Sequence, residues 1–436
     1  MTRSETDPPQ HSADQAASFA ILLQQRPLEL VAEVAGTAAC HVVGGALRDS
    51  ALGLAVRDLD LVVESDGLSI AQRLASILPA RLVELGGDRF AAYRLVADDL
   101  TLDIWDRRGT SLEVDLARRD LTIHSFAVEV PSGVVIDPFH GLADLGNRLL
   151  RATTETSFSS DPLRVLRLAR FAGQLPGFKP LEPTVELASD SAADLVQVAG
   201  ERIRVELETL LELPDFLTSA ELLVRLALYP GLWQPRSGFG RLEDSASLIN
   251  RLRQLELCLD LAGDRADRAS ARQAVLFDRL VSDQQPSATE TVERARQNGL
   301  LTRATSKKLN QLLGWVALPL DTVSQRWYLH RSGRAWPTVT CFLAAGDPSL
   351  QTQSAFRGYL DGLDALCRES GAEIFDPEPL IAARDLMHHL DIPEGRMLGQ
   401  ILSTIQRRQV EGSLSTRNDA LALAKELALH SPGTTK

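Results

Sequence analysis

The chain has 436 residues, more than one ordinary hydrophobic core serves, so roughly two to four packed units are expected. Its 44% hydrophobic and 24% charged residues are those of a soluble globular protein, and no apolar run is long enough to cross a bilayer, which excludes a membrane-spanning enzyme. A formal net charge of −12 excludes a generally sticky nucleic-acid binder, but not a local basic groove, because phosphate contacts need clustered Arg and Lys rather than a basic total.

Residues 1–30 begin with a polar stretch, MTRSETDPPQHSADQAAS, that lacks a hydrophobic signal core and reads as a disordered tail. From 31 to 152 the pattern mixes strands and helices. His41 to Glu64, HVVGGALRDSALGLAVRDLDLVVE, holds a Gly44-Gly45 turn, an Arg48-Asp49 pair, and Asp58 and Asp60 spaced i, i+2 in an apolar run. Side chains two apart in a strand point to the same side, so both carboxylates would face one small volume. Two such acids repel unless cations sit between them, and oxygen-rich sites of this kind suit Mg²⁺ shared with substrate phosphates. Gly44-Gly45 lets backbone approach a ligand closely, and a helix starting at Ala46 would aim its positive end at a triphosphate. The same pieces also occur as a charged strand edge and a plain turn. Their order (strand, Gly-Gly, helix, DxD strand) favours a nucleotidyl-transfer site.

Further along, SIAQRLASIL has helical spacing, whereas RFAAYRLVA and LTLDIWDR alternate like strands of an antiparallel sheet. A third carboxylate near the attacking hydroxyl would come from Asp103, with Asp106 as competitor. ARRDLTIHSFAVEV, followed by GVVIDP, reads as a hairpin preceded by Arg118, Arg119 and Asp120. The arginine fork suits a triphosphate and the aspartate suits ribose hydroxyls, although an ion-pair cluster at a strand start has the same residues.

From Ser160 onward the chain is almost entirely helical. Candidates are 161–175, 182–194, 200–212, 217–228, 243–262, 268–281, 287–298, 304–315, 353–369, 377–390, 396–410 and 416–429. Breaks fall at Pro176-Gly177, Pro214, Pro230–Gly240, Pro286 and Gly346–Pro348, and Ser287 to Glu290 matches a capping box. Further basic clusters are Arg303/Lys307/Lys308 and Arg407-Arg408. His388-His389 lacks an aspartate partner and reads as a solvated helix end. Cys40, Cys258, Cys341 and Cys367 are scattered without a CxxC pair, so neither a disulfide framework nor a zinc site is expected and a reducing cytoplasm fits.

Five segments in order resemble the class II tRNA nucleotidyltransferase and bacterial poly(A) polymerase family. GGxxRD with its DxD strand is Gly44 to Asp49 and Asp58-Leu59-Asp60; RRDxTINA is Arg118 to Ser125. DPxxGxxDLxxxxLR runs from Asp137 to Arg151, EDxLRxxRxxRF from Ser160 to Phe171, and ERIxxEL from Glu201 to Leu207. Pro393 to Gly399 and the following EGSLSTRNDAL are similar to the C-terminal end of many members. The resemblance implies an α+β fold: a polymerase beta-like nucleotidyltransferase head with a mostly antiparallel sheet over 31–152, followed by a helical neck (153–213), body (214–300) and RNA-binding tail (301–436).

The implied activity is template-independent addition of C and/or A to the 3′ end of tRNA, or another RNA, from CTP and/or ATP. Asp58 and Asp60 would hold Mg²⁺, with Asp103 as the third catalytic carboxylate. Gly44, Gly45, Arg48, Arg119, Asp120 and Arg167 would bind the nucleotide, and Asp161 and Arg164 would read its base. Cytosine and adenine share an amine donor beside a ring-nitrogen acceptor, which a carboxylate and a guanidinium match and which uracil and guanine do not offer. Asp161-Pro162 is also an ideal helix N-cap. Ser160 stands where the family has an acid, and His124-Ser125 where it has Asn-Ala. The link from Arg107 to Arg118 is short, as in members that add only CC. The alternatives are therefore a poly(A) polymerase or a CC-only enzyme. An enzyme acting on small molecules would hardly need the helical body, and an inactive RNA-binding homologue would be expected to lose the aspartates present here.

Overall fold

Apolar residues at helical spacing decide the N-terminal segment. The structure, a computed structural model, describes residues 10–36, 38–85, 91–97, 100–226, 228, 245–278 and 288–430. Instead of a tail throughout 1–30, it has α1 (Gln10–Leu23) and α2 (Arg26–Ala35). Phe19, Leu22, Leu28, Leu30, Val31 and Val34 are buried, and the Phe19 ring lies 6.0 Å from that of Phe126. Burial of so many large side chains outweighs the polar composition of the first residues.

The chain forms two compact units, Met1–Phe239 and Gly240–Lys436. This single division differs from the expected borders at 213/214 and 300/301. In the first unit the order continues β1 (Cys40–Val43), α3 (Gly45–Ala51), β2 (Asp58–Val63), α4 (Gly67–Ile77), β3 (Arg81–Leu85), β4 (Ala91–Val96), β5 (Thr101–Asp106) and α5 (Leu112–Ala117). Then come β6 (Ala127–Val130), β7 (Val135–Ile136), α6 (Gly141–Gly146) and β8 (Leu149–Leu150). The sheet order is β3-β4-β5-β2-β1-β6-β7, and every pairing is antiparallel except β2 with β5. The mostly antiparallel head sheet is thus as expected. The segment Thr122–His124, expected to open a strand, is a turn of 3₁₀ helix, and the hairpin begins only at Ala127.

The first unit closes with α7 (Leu163–Gln174), β9 (Lys179–Pro180, paired with β8), α8 (Glu182–Ser191), α9 (Gly200–Leu211) and α10 (Phe216–Arg225). One face of α7 is buried through Val165, Leu166, Leu168, Ala169 and Ala172, against α9 and α10. Its other face carries arginines, so packing aims them in one direction.

In the second unit every described element is helical: α11 (Ser245–Ala262), α12 (Arg268–Asp278), α13 (Ala288–Gln297), α14 (Arg303–Leu313), α15 (Thr322–Ser332), α16 (Trp336–Ala344), α17 (Gln353–Phe375), α18 (Ala383–Leu390), α19 (Arg396–Val410) and α20 (Arg417–His430). The expectation had no helix at α15 or α16. All nine residues of α16 are buried, which removes the polar face that betrays a helix in sequence, and Pro337 is tolerated in a first turn. The capping box at Ser287 and much of the Pro230–Gly240 break lie outside the described residues. Helices α18 to α20 share one cluster around Leu386, Ile401, Ile405 and Leu423, while His388 and His389 are exposed in the last turn of α18. Among the described residues no helix is long and apolar enough to cross a membrane.

Candidate nucleotide site

Strand register settles which carboxylates meet. Asp60 pairs with Asp103 across the parallel β2/β5 ladder, and Asp58 with Thr101, so the three acids share one face of the sheet. Asp106 has the opposite parity. Its carboxylate accepts from the backbone N–H of Gly67 at 3.3 Å and of Arg108 at 3.0 Å, which makes it an anchor for the start of α4. Asp103, not Asp106, is therefore the acid beside the DxD pair. Both oxygens of Asp103 are taken by Arg94 from the neighbouring β4, Nε at 2.8 Å and Nη2 at 2.7 Å.

Burial pushes the Asp60 carboxyl above its usual range; Arg119 opposes this, while the charges of Asp103 and Asp58 reinforce it. An acid crowded by two others and by low dielectric suits a divalent cation, which would relieve the repulsion. Among the described residues no three His, Cys, Asp or Glu side chains form a ready-made metal cage. With Asp103 held by Arg94, Asp58 and Asp60 remain, and a shell completed by phosphate oxygens is the arrangement Mg²⁺ favours.

The turn before α3 brings backbone against this acidic face. Gly44 has φ 75° and ψ −140°, and a Cβ there would stand 3.0 Å from Asp60 Oδ2 and 2.9 Å from Arg119 Nη1. Arg119 itself is held by Asp115 at 3.3 Å, and its buried Nε has no partner. Arg48, only 6% exposed, donates from Nε to Asp49 at 2.8 Å and from Nη1 to His124 Nε2 at 2.6 Å. Asp120 is likewise buried. It accepts from His124 Nδ1 at 2.8 Å, its neighbour's N–H (Leu121) at 2.9 Å, and Arg167 Nε at 2.8 Å. Burial alone would raise this carboxyl, but the Arg167 charge and these donors hold it well below the usual carboxylate range.

The arginine face of α7 forms the opposite wall. Arg167 and Arg170 share Glu206 of α9, at 3.5 and 2.7 Å. Asp161 does two things: Oδ1 accepts from Leu163 N–H at 3.3 Å, part of the expected capping role, while Oδ2 pairs with Arg202 at 2.8 Å. Arg164 bends back to the Ser157 carbonyl at 2.9 Å, to Ser160 Oγ at 3.2 Å and to the Arg118 carbonyl. Ser160, in the place of an acid, thus still accepts from this guanidinium. Sequence reasoning missed the partners Arg94, Arg202 and Glu206. The ERIxxEL spacing was the available signal, since Arg202 and Glu206 are four apart on one helix face.

Other motif residues are scaffold. Asp137 caps α6 by accepting from Gly141 N–H at 2.7 Å and Leu142 N–H at 3.0 Å. Gly141 is packed so tightly that a Cβ would fall 2.1 Å from the Thr122 carbonyl. Asp144 receives Arg151 at 2.8 and 3.1 Å and Thr122 Oγ1 at 2.7 Å, pinning the segment that carries Asp120 and His124.

Together these walls enclose a cavity of about 680 Å³ lined by Gly44, Gly45, Arg48, Asp58, Asp60, Arg119, Asp120, Asp161, Arg164 and Arg167. Every expected site residue except Asp103 lines it.

Residues 40–151 match the poly(A) polymerase head domain family. A CC-adding tRNA nucleotidyltransferase of Synechocystis sp. is 29% identical over 94% of this chain and 98% of its own. An A-adding tRNA nucleotidyltransferase of Halalkalibacterium halodurans is 28% identical over 89% and 88%. A solved CCA-adding enzyme in complex with ATP shares the fold, with a TM-score of 0.70 at 22% identity, over 96% of this chain and 98% of the other. The ordered motifs, the register of the head sheet and these likenesses lead to one conclusion: the chain carries a poly(A) polymerase head domain at residues 40–151 and is similar along its whole length to tRNA nucleotidyltransferases.

Proposed function

We propose that the protein adds C and/or A to the 3′ end of tRNA, without a nucleic-acid template, by two-metal nucleotidyl transfer from CTP or ATP. The observation that carries this reading is the single cavity in which a DxD strand and a Gly-Gly turn face an Asp/Arg helix. Its volume of about 680 Å³ lies in the range of small-molecule sites. Enzymes of this family generally use divalent metal ions, and Mg²⁺ is proposed here, with Asp58 and Asp60 as its protein ligands. Bound there, it would neutralise charge on the triphosphate and activate the RNA 3′-hydroxyl.

The remaining work falls to the chain itself. Gly44 allows the triphosphate to lie against backbone, and Arg119 and Arg48 supply fixed positive charge where pyrophosphate departs. The RNA 3′ oxygen bonds to the α-phosphorus while the bond to the β-phosphate oxygen breaks. Asp103, locked by Arg94, backs Asp60 from the neighbouring strand as the third carboxylate of the acidic face. Asp120 and Arg167 hold the ribose side of the nucleotide, and Asp161 and Arg164 select its base. For Arg164 this requires release from the backbone carbonyls it now meets. A cytoplasmic setting fits the four free cysteines.

A CC-only enzyme is the second reading, favoured by the compact link from Arg107 to Arg118: a turn closed by Arg107 onto the Thr110 carbonyl at 2.8 Å, then the six-residue α5. The deciding experiment gives pure protein tRNA lacking its 3′ end, with Mg²⁺ and CTP, ATP or both, and sequences the products. Ends in CC or CCA support the reading. No extension of any tRNA overturns it, and long A tracts reassign the protein as a poly(A) polymerase.

A further inference from the structure

We infer that His124 is a positioning residue that ties the triphosphate end of the nucleotide cavity to its base-reading end; the inference rests on the nucleotidyl-transfer reading above. His124 lies between Arg48 and Asp120, its Nε2 2.6 Å from Arg48 Nη1 and its Nδ1 2.8 Å from Asp120 Oδ1. A guanidinium can only donate, so Nε2 accepts and the ring proton is on Nδ1, donating to Asp120. One neutral tautomer satisfies both neighbours, whereas an imidazolium would turn an N–H against the Arg48 N–H. Burial, helped by the charges of Arg48 and Arg167 and opposed by Asp120, lowers the imidazole to about 4, so this neutral tautomer holds at neutral pH.

The link extends to the neck. The second oxygen of Asp120 receives Arg167, which shares Glu206 with Arg170. The Phe171 ring is the hub: His124 lies 4.7 Å from it, and the guanidinium carbons of Arg48, Arg167 and Arg170 at 5.3, 5.4 and 4.2 Å. His124 therefore joins α3 of the head to α7 through a chain Arg48–His124–Asp120–Arg167. An asparagine, the residue of the resembled motif, has the same two polarities: an oxygen to accept from Arg48 and an amide to donate to Asp120. A residue that only fills space has neither.

The test compares H124N, H124F and H124L with wild type. It measures the dissociation constant of CTP in Mg²⁺ by calorimetry, the KM for CTP and for tRNA, and the melting temperature. H124F keeps a ring on Phe171 but loses both hydrogen bonds. It should weaken CTP binding about tenfold, the worth of one charge-assisted bond, with KM for tRNA unchanged. H124N should stay within about threefold of wild type, since it keeps both bonds. A structural role alone would make H124N and H124F track their melting temperatures. Equal losses in both, or wild-type CTP binding by a folded H124F, overturns the inference. If H124F does not fold, H124L and H124N carry the same comparison. Wild-type protein that binds CTP but extends no tRNA refutes the activity and leaves the binding comparison to judge His124; wild-type protein that binds no nucleotide refutes both.

Discussion

Replacing Gly44 by alanine should cripple nucleotide addition, while the same change at Gly45 should not. Gly44 has φ 75° and ψ −140°, a region essentially confined to glycine, where a side chain costs about 1–3 kcal/mol. The new Cβ would meet Arg119 Nη1 at 2.9 Å and Asp60 Oδ2 at 3.0 Å. Ordinary contacts lie near 3.5–4 Å, so both groups must retreat by roughly 0.5–1 Å. These are the proposed triphosphate and metal groups, and a misplacement of about 1 Å in such a site costs on the order of 10²-fold in rate. At Gly45 the backbone φ is not positive, and a Cβ meets only Arg48 Nη2 at an unstrained 3.6 Å. Alanine there also removes the helix penalty of glycine, about 0.5–1 kcal/mol. The assay is the initial rate of CTP and ATP addition to tRNA lacking its 3′ end, paired with a melting curve for each variant. G44A should lose about 100-fold in rate and melt a few degrees lower, at roughly 2–4 °C per kcal/mol. A G44A rate within about threefold of wild type, or equal damage from G45A, would refute the close-approach argument.

Asp60→Asn should abolish extension yet stabilise the metal-free protein near neutral pH. With its folded pKa raised, Asp60 adds stability that is fully present below the unfolded carboxylate value and lost as pH rises through the raised value. The melting advantage of D60N should therefore shrink on acidification and fall further when Mg²⁺ is added to both; a pH-independent difference would contradict this. Arg202→Ala removes the partner of Asp161 at the surface, so stability should change by less than about 1 kcal/mol. With Asp161 left unanchored, selectivity for CTP and ATP over UTP and GTP should drop about tenfold, and unchanged selectivity would show that Asp161 does not depend on Arg202. Gly141→Ala would push a methyl to 2.1 Å from the Thr122 carbonyl and should destabilise the first unit by about 3 kcal/mol or more, read by denaturant unfolding.

The local chemistry of the site was legible because it is written at short spacing. The DxD pair needs only the two-residue period of a strand, and the arginines at 164, 167 and 170 only the period of a helix. Glycines before a helix are equally short-range signals. Partner choice was not legible, because it depends on residues far apart in sequence. Asp103 and Asp106 have the same composition and opposite parity, and only the pairing of β2 with β5 shows which joins Asp60. Arg94 on Asp103 and Arg202 on Asp161 likewise follow from strand and helix neighbours.

The helical body shows the same division. Amphipathic helices such as α14 were found from their stripes, whereas the fully buried α16 carries no stripe and was missed. The 1–30 segment was misjudged because its opening composition is polar while its packing depends on a few large side chains from Phe19 to Leu30. From sequence, His124 was only a departure from the asparagine of the resembled motif. Burial between Arg48 and Asp120 decides its tautomer and its link to α7, since a buried donor or acceptor must find a partner and here each has only one to take. By itself the sequence determined the chemistry, through residue types at the periods of strand and helix. Tertiary structure decided the partners, because register and burial join groups that the chain keeps far apart.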